Sequence, residues 1–105
     1  MLNKRDILKN QKRFSEKDLS VSALFKILSD TNRYRIFLLL MGSPQFSIGS
    51  IAKILDISLP LASQHIRLMV HANVLEKKRY GKMVCIELKQ NNLLLNTLVK
   101  ALQRM

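Results

Sequence analysis

Ser63, Gln64 and Arg67 bring a hydroxyl, a carboxamide and a guanidinium close together in the chain. A carboxamide can pair with adenine through two hydrogen bonds, and a hydroxyl can bond a base edge or a phosphate. Leu59 and Leu61, just upstream, are suited to thymine methyl groups. Further along, Lys77-Lys78-Arg79 and Lys82 crowd around Tyr80-Gly81. That density of cations suits a phosphate backbone. This is the chemistry of recognition. The chain shows no paired carboxylates, no Gly-rich phosphate loop and no nucleophile–base arrangement, so it does not read as an enzyme.

The elements that must carry these groups follow from capping and periodicity. Ser58 caps a helix with Pro60 in its first turn, where a missing N–H costs nothing. Ala62, Ile66 and Met69 are its inward stripe, and it stops near Ala72-Asn73. Ser63, Gln64 and Arg67 are then left on the outer side, while Ser58 and the free N–H groups of the first turn are available to a phosphate. A short helix from Ser47 to Leu55, apolar at Ile48, Ile51, Ala52 and Leu55, precedes it across a three-residue turn. Together they make a helix-turn-helix pattern whose second helix is free to enter a major groove. Strand-like runs Val74–Arg79 and Met83–Leu88 flank the glycine turn as a hairpin, with Val84, Ile86 and Leu88 expected inward. Such a hairpin would act as a wing on the backbone or the adjacent minor groove.

Upstream, 15–29 reads as a helix with Ser15 and Asp18 in a capping-box-like pair and a stripe of Val21, Leu24, Phe25 and Leu28. Residues 32–41 are apolar nearly all round, as a core helix is, and Gly42-Ser43-Pro44 stops them. A last helix over 90–104 carries Leu94, Leu98, Ala101, Leu102 and Met105 on one side, widened by Leu95 and Val99. The expected fold is mainly α with a small β-hairpin, a winged helix-turn-helix in the order α-α-α-α-β-β-α. Residues 1–14 form a basic N-terminal extension of undetermined conformation, and 15–105 form one domain.

Eighteen Lys and Arg against seven Asp and Glu give a net charge of +11 in 105 residues. The segments 1–14, 15–57 and 58–105 carry +4, +1 and +6, so the excess sits at the two flanks. A charge this far from zero points to a polyanionic partner. The single cysteine, Cys85, excludes an intrachain disulfide and reads as a small buried hydrophobe, with a redox-sensitive thiol as the sharper alternative. No apolar run is long enough to span a bilayer, and the basic N-terminus lacks the apolar region of a secretory signal. A cytoplasmic location is the default.

These residues carry a family resemblance. The stretches LFKILSDTNRYRIFLLL (24–40), FSIGSIAKILDISLPLASQHIRLMVHANVL (46–75) and KKRYGKMVCIEL (77–88) resemble the ArsR/SmtB winged-helix repressors. Ser29, Asp30, Arg33 and Ile36 match the start of that family's second helix, and Ser58, Ser63, His65 and Ile66 match its recognition helix. The resemblance implies a homodimeric DNA-binding repressor joined through its first and last helices, here Leu19, Val21 and Leu24 with Leu94, Leu98 and Leu102. It also implies a DNA contact or a structural hydrogen bond for His65. Metal-sensing members carry a Cys-containing motif in the place of Phe46–Ala52, or Asp, His and Glu on the last helix. This chain has FSIGSIA in the first place and none of those residues over 90–105. His65 and His71 are six positions apart, the wrong spacing for one helical face. No metal and no cofactor are expected.

The leading expectation is therefore a dimeric transcription regulator, a repressor on double-stranded operator DNA with an unidentified inducer. The alternatives are a winged-helix module controlled by a partner protein, and a non-specific nucleoid-type DNA binder.

Overall fold

The computed structural model describes residues 1–43 and 45–105. The element order is α1 (Lys4–Gln11), α2 (Lys17–Leu28), α3 (Thr31–Gly42), α4 (Ile48–Leu55), α5 (Leu59–His71), β1 (Leu75–Tyr80), β2 (Met83–Leu88) and α6 (Leu93–Gln103). The expected succession of helices and hairpin runs from α2 to α6. The segment 1–14, whose conformation the sequence leaves open, adds α1 in front of it.

Side-chain caps start most helices. Asp30 accepts the Arg33 N–H at 3.0 Å and opens α3. Ser47 accepts the Ser50 N–H at 3.1 Å and opens α4. The α2 start differs from expectation: Glu16 takes the cap position without a side-chain bond. Only the acidic half of the expected box forms, with the Ser15 N–H donating to the Asp18 carboxylate at 2.9 Å. Gly42 ends α3, while Pro44, named in the expected stop, lies outside the described residues.

Ile36, Phe37 and Leu40 of α3, Ile51 of α4, and Ile66 and Met69 of α5 share one buried cluster with Val74, Leu75 and Ile86 at the hairpin base. Leu24 and Leu95 join the same cluster from α2 and α6. Burying such side chains contributes roughly 1.5–3 kcal/mol each relative to exposure. Two stripes are rotated from their expected positions. Phe25 is 62% exposed, and α2 turns Leu24, Ile27 and Leu28 to the core instead. On α6 the inward set is Leu95, Leu98, Val99 and Leu102, with Leu94, Ala101 and Met105 exposed. Asn92 sets that rotation. Its Oδ1 accepts the Leu95 N–H at 3.1 Å, and its Nδ2 donates to the Asn73 carbonyl at 3.0 Å. α3 is also less enclosed than its composition implies, since Leu38 is exposed.

Burial in the hairpin follows distance from the core more than alternation. Cys85, Ile86 and Glu87 are all buried, whereas Val84, expected inward, is exposed near the tip. At the base, Phe46 pairs with Ile86 on the outer edge of β2, with hydrogen bonds of 2.7 and 3.4 Å.

Candidate nucleic-acid interface

α4 and α5 are fixed by their ends. The Ile57 N–H bonds the Ala52 carbonyl at 3.0 Å and the Asp56 N–H bonds the Lys53 carbonyl at 3.2 Å. Asp56 is left-handed at φ 56°, which completes a Schellman stop. Ser58 then caps α5 by accepting the Leu61 N–H at 3.2 Å. α5 closes the same way: Val74 and Asn73 donate to Met69 and Val70 at 2.9 and 3.1 Å, with Asn73 at φ 61°. Asp and Asn tolerate this conformation better than most side chains. The two stops set the angle between the helices and hand the chain directly to the hairpin.

α5 buries Ala62, His65, Ile66 and Met69. Its other side exposes Leu59, Leu61, Gln64 and Arg67, with Ser63 half-buried. Leu68 and His71 are exposed beside them. They continue the Gln64–Arg67 spacing at i+4 and i+7, so helical periodicity alone could have added them. His65 is the correction. It is 8% exposed, and its Nδ1 is buried without a partner, so it faces the core and not the open side. Arg33 is likewise turned to the scaffold, its Nε donating to the Ile27 carbonyl near the end of α2 at 2.8 Å. Asp30 has its carboxyl held below the usual value of 3.8, first by the Arg33 backbone N–H and against the opposing effect of burial. The charges of His65 and Arg33 act in the same downward direction as that N–H.

The hairpin pairs Leu75 with Leu88 at the base and Tyr80 with Met83 at the tip. A two-residue turn, Gly81-Lys82, joins them with Gly81 at φ 63° and Lys82 outside the left-handed region. This is the type II′ pattern, in which glycine takes the first central position. Lys77, Lys78, Arg79 and Lys82 are all exposed, but they are not equivalent. Lys78 Nζ lies 3.6 Å from Glu76 and 3.9 Å from Glu87, and Lys89 lies 3.5 Å from Glu76. The Tyr80 hydroxyl donates to Glu87, and that bond raises the tyrosine pKa above its usual 10.0. Strand alternation puts Glu76, Lys78, Tyr80, Cys85 and Glu87 on one face and Lys77, Arg79, Val84 and Ile86 on the other. Lys78 therefore neutralises the acidic pair. Lys77, Arg79 and Lys82 form no ion pair among the described residues.

Of the residues assigned to a dimer contact, Leu24 is 7% exposed and belongs to the protomer's own core. Val21, Leu98 and Leu102 are half-buried, and Leu19 and Leu94 are exposed. Leu93, at 81% exposure, is a residue that periodicity does not single out. Cys85 is buried and unbridged. Among the described residues, no group of three or more His, Cys, Asp or Glu is placed to hold a metal.

A helix-turn-helix domain model matches residues 28–78. The chain is 35% identical over 75 residues to the cadmium resistance transcriptional regulatory protein CadC of Listeria innocua, a match covering 71% of this chain. It belongs to the ArsR-type winged helix-turn-helix family. The chain spans 63% of the length of that relative. HlyU from Vibrio cholerae has the same fold, with a TM-score of 0.75 at 18% identity over 87% of this chain and 96% of that one. A homodimeric winged helix-turn-helix DNA-binding domain from Mycobacterium bovis, described as a possible ArsR-family transcriptional regulator, gives 0.66 at 17% identity over 98% and 84%. In ArsR-type terms, α4–α5 is the helix-turn-helix and β1–β2 the wing. No described helix is long and apolar enough to cross a membrane.

Proposed function

We propose that this chain is a homodimeric, sequence-specific transcription regulator, a repressor that occupies promoter DNA in the cytoplasm. α5 enters the major groove, and the tip of the wing lies on flanking phosphates or in the adjacent minor groove. One observation carries this reading: the side of α5 bearing Leu61, Gln64, Arg67 and Leu68 is open to solvent while its other side is core. The three uncommitted cations of the wing stand on the next element. The regulatory role of the Listeria relative and the homodimeric state of the Mycobacterium domain support it. Exposed Leu19, Leu93 and Leu94 on α2 and α6 supply the apolar surface for a second copy. Phe46–Ala52 offers no thiolate, imidazole or carboxylate, so the inducing signal is not a metal held there.

The test is competition between duplex DNA from upstream of the chain's own gene and random duplex at physiological salt, read by fluorescence anisotropy. A preference of about 10³-fold or more is expected for a specific regulator. Equal affinity would favour a nucleoid-type binder. Absence of binding even at low salt would favour a module that engages an acidic protein.

A further inference from the structure

α1 stands apart from the core. Among residues 1–20 none is buried, and Asp6 alone is half-buried. The helix starts on a capping box in which Asp6 accepts the Asn3 N–H while Asn3 accepts the Asp6 N–H at 2.9 Å. The helix's one acid is thereby committed to the cap. Lys4, Arg5, Lys9 and Lys12 line a single shallow groove around Leu8. They stand at i, i+1, i+5 and i+8, which spreads them over about 140° of the helix surface and about 12 Å of its length. A duplex presents a phosphate charge about every 1.7 Å along its axis, so several phosphates fit within that length. An eight-residue helix that buries nothing is marginal in water, and repulsion among four clustered cations weakens it further. A polyanion on this face would remove that repulsion.

We propose that the Lys4–Arg5–Lys9–Lys12 face of α1 is a second DNA contact, one that grips the phosphate backbone beyond the base pairs read by α5. The inference rests on the DNA-binding reading above and adds a site to it. The molecule is 61 Å in its longest dimension against 27 and 25 Å in the others. At about 3.4 Å per base pair, that length matches roughly 18 base pairs, enough for a groove contact and a separate backbone contact on one duplex. The face carries only cations around Leu8, and long flexible cations spread over that length suit a line of phosphates.

The test compares the full-length chain with the quadruple variant Lys4→Gln, Arg5→Gln, Lys9→Gln, Lys12→Gln. These side chains are exposed and glutamine is a good helix former, so the core is untouched. Operator affinity is measured across a salt series. The slope of log K against log salt should shrink by about 0.9 for each phosphate that is no longer neutralised. The discrimination between operator and random duplex should stay the same. In the wild type, NMR shifts of residues 4–11 should move toward helix on adding DNA. If the wild type binds operator and the variant shows an undiminished slope, the α1 contact is refuted while the regulator reading stands. If the slope is undiminished but the variant alone loses adhesion to phosphatidylserine vesicles, the face belongs to a membrane surface and the proposal falls. If the wild type binds no DNA, both readings fall together.

Discussion

Gln64 is an exposed, uncharged polar side chain on the open side of α5, so its effect separates cleanly from electrostatics. Gln64→Ala is expected to cost about 1–3 kcal/mol on the operator and almost nothing on random duplex. Equal losses on both would mean that it reads no base. Asp30 acts on the scaffold instead. Asp30→Ala removes the α3 cap and should lower stability by about 1 kcal/mol, measured by thermal unfolding. Its folded pKa lies below 3.8, so the unfolded chain takes up its proton first as pH falls. The ionic part of the contribution is therefore complete above pH 3.8 and is lost as pH falls through the lower folded value. The Tm gap between wild type and Asp30→Ala should narrow over that same interval. His65 shows why residue type alone misleads: an imidazole on a recognition helix can serve the outside or the core, and only its place in the Ala62–Met69 stripe decides.

On the scale of elements, the wing divides into a charged tip and a neutralised base. Replacing Lys77, Arg79 and Lys82 by Gln should weaken binding to every duplex alike and reduce the salt slope by about 0.9 for each phosphate set free. Lys78→Gln should leave that slope nearly unchanged and lower the Tm instead. Glu76 and Glu87 are direct cross-strand partners, and like charges so placed destabilise a pair by roughly 0.2–1 kcal/mol once uncompensated. This division was not legible in the sequence, where Lys77, Lys78, Arg79 and Lys82 form one cluster, because it depends on cross-strand register. The cap at Ser58, the stop at Asn73 and the turn at Gly81 were legible, since each is a local preference of one residue. The rotations of α2 and α6 were not. Phe25 and Leu94 satisfy the 3.6-residue period as well as Ile27 and Leu95 do, and only tertiary packing chooses between them. α1 was hidden for a different reason: it has no apolar stripe to announce it, only a capping box at Asn3 and Asp6.

For the whole molecule, the proposed assembly places α2 and α6 against their copies. Leu19→Glu combined with Leu93→Glu puts charge on the exposed apolar surface without entering the core, where Leu24 and Leu95 remain. The mass found by analytical ultracentrifugation should fall to that of one chain, with the far-ultraviolet circular dichroism unchanged. Operator affinity should drop with it, because a repressor of this shape gains its grip from two half-sites on one duplex. The single bridge between Phe46 and Ile86 has its own mechanical meaning. It clamps one end of a ribbon whose other end, at Gly81-Lys82, is exposed to solvent. From Ile86 to Lys82 is a span of about 13 Å, so the ribbon is a cantilever: a slight tilt at the clamp becomes a larger sweep of the charged end. On the proposed binding mode, the backbone of Phe46 at the root of the ribbon would thereby govern where its charged end lies.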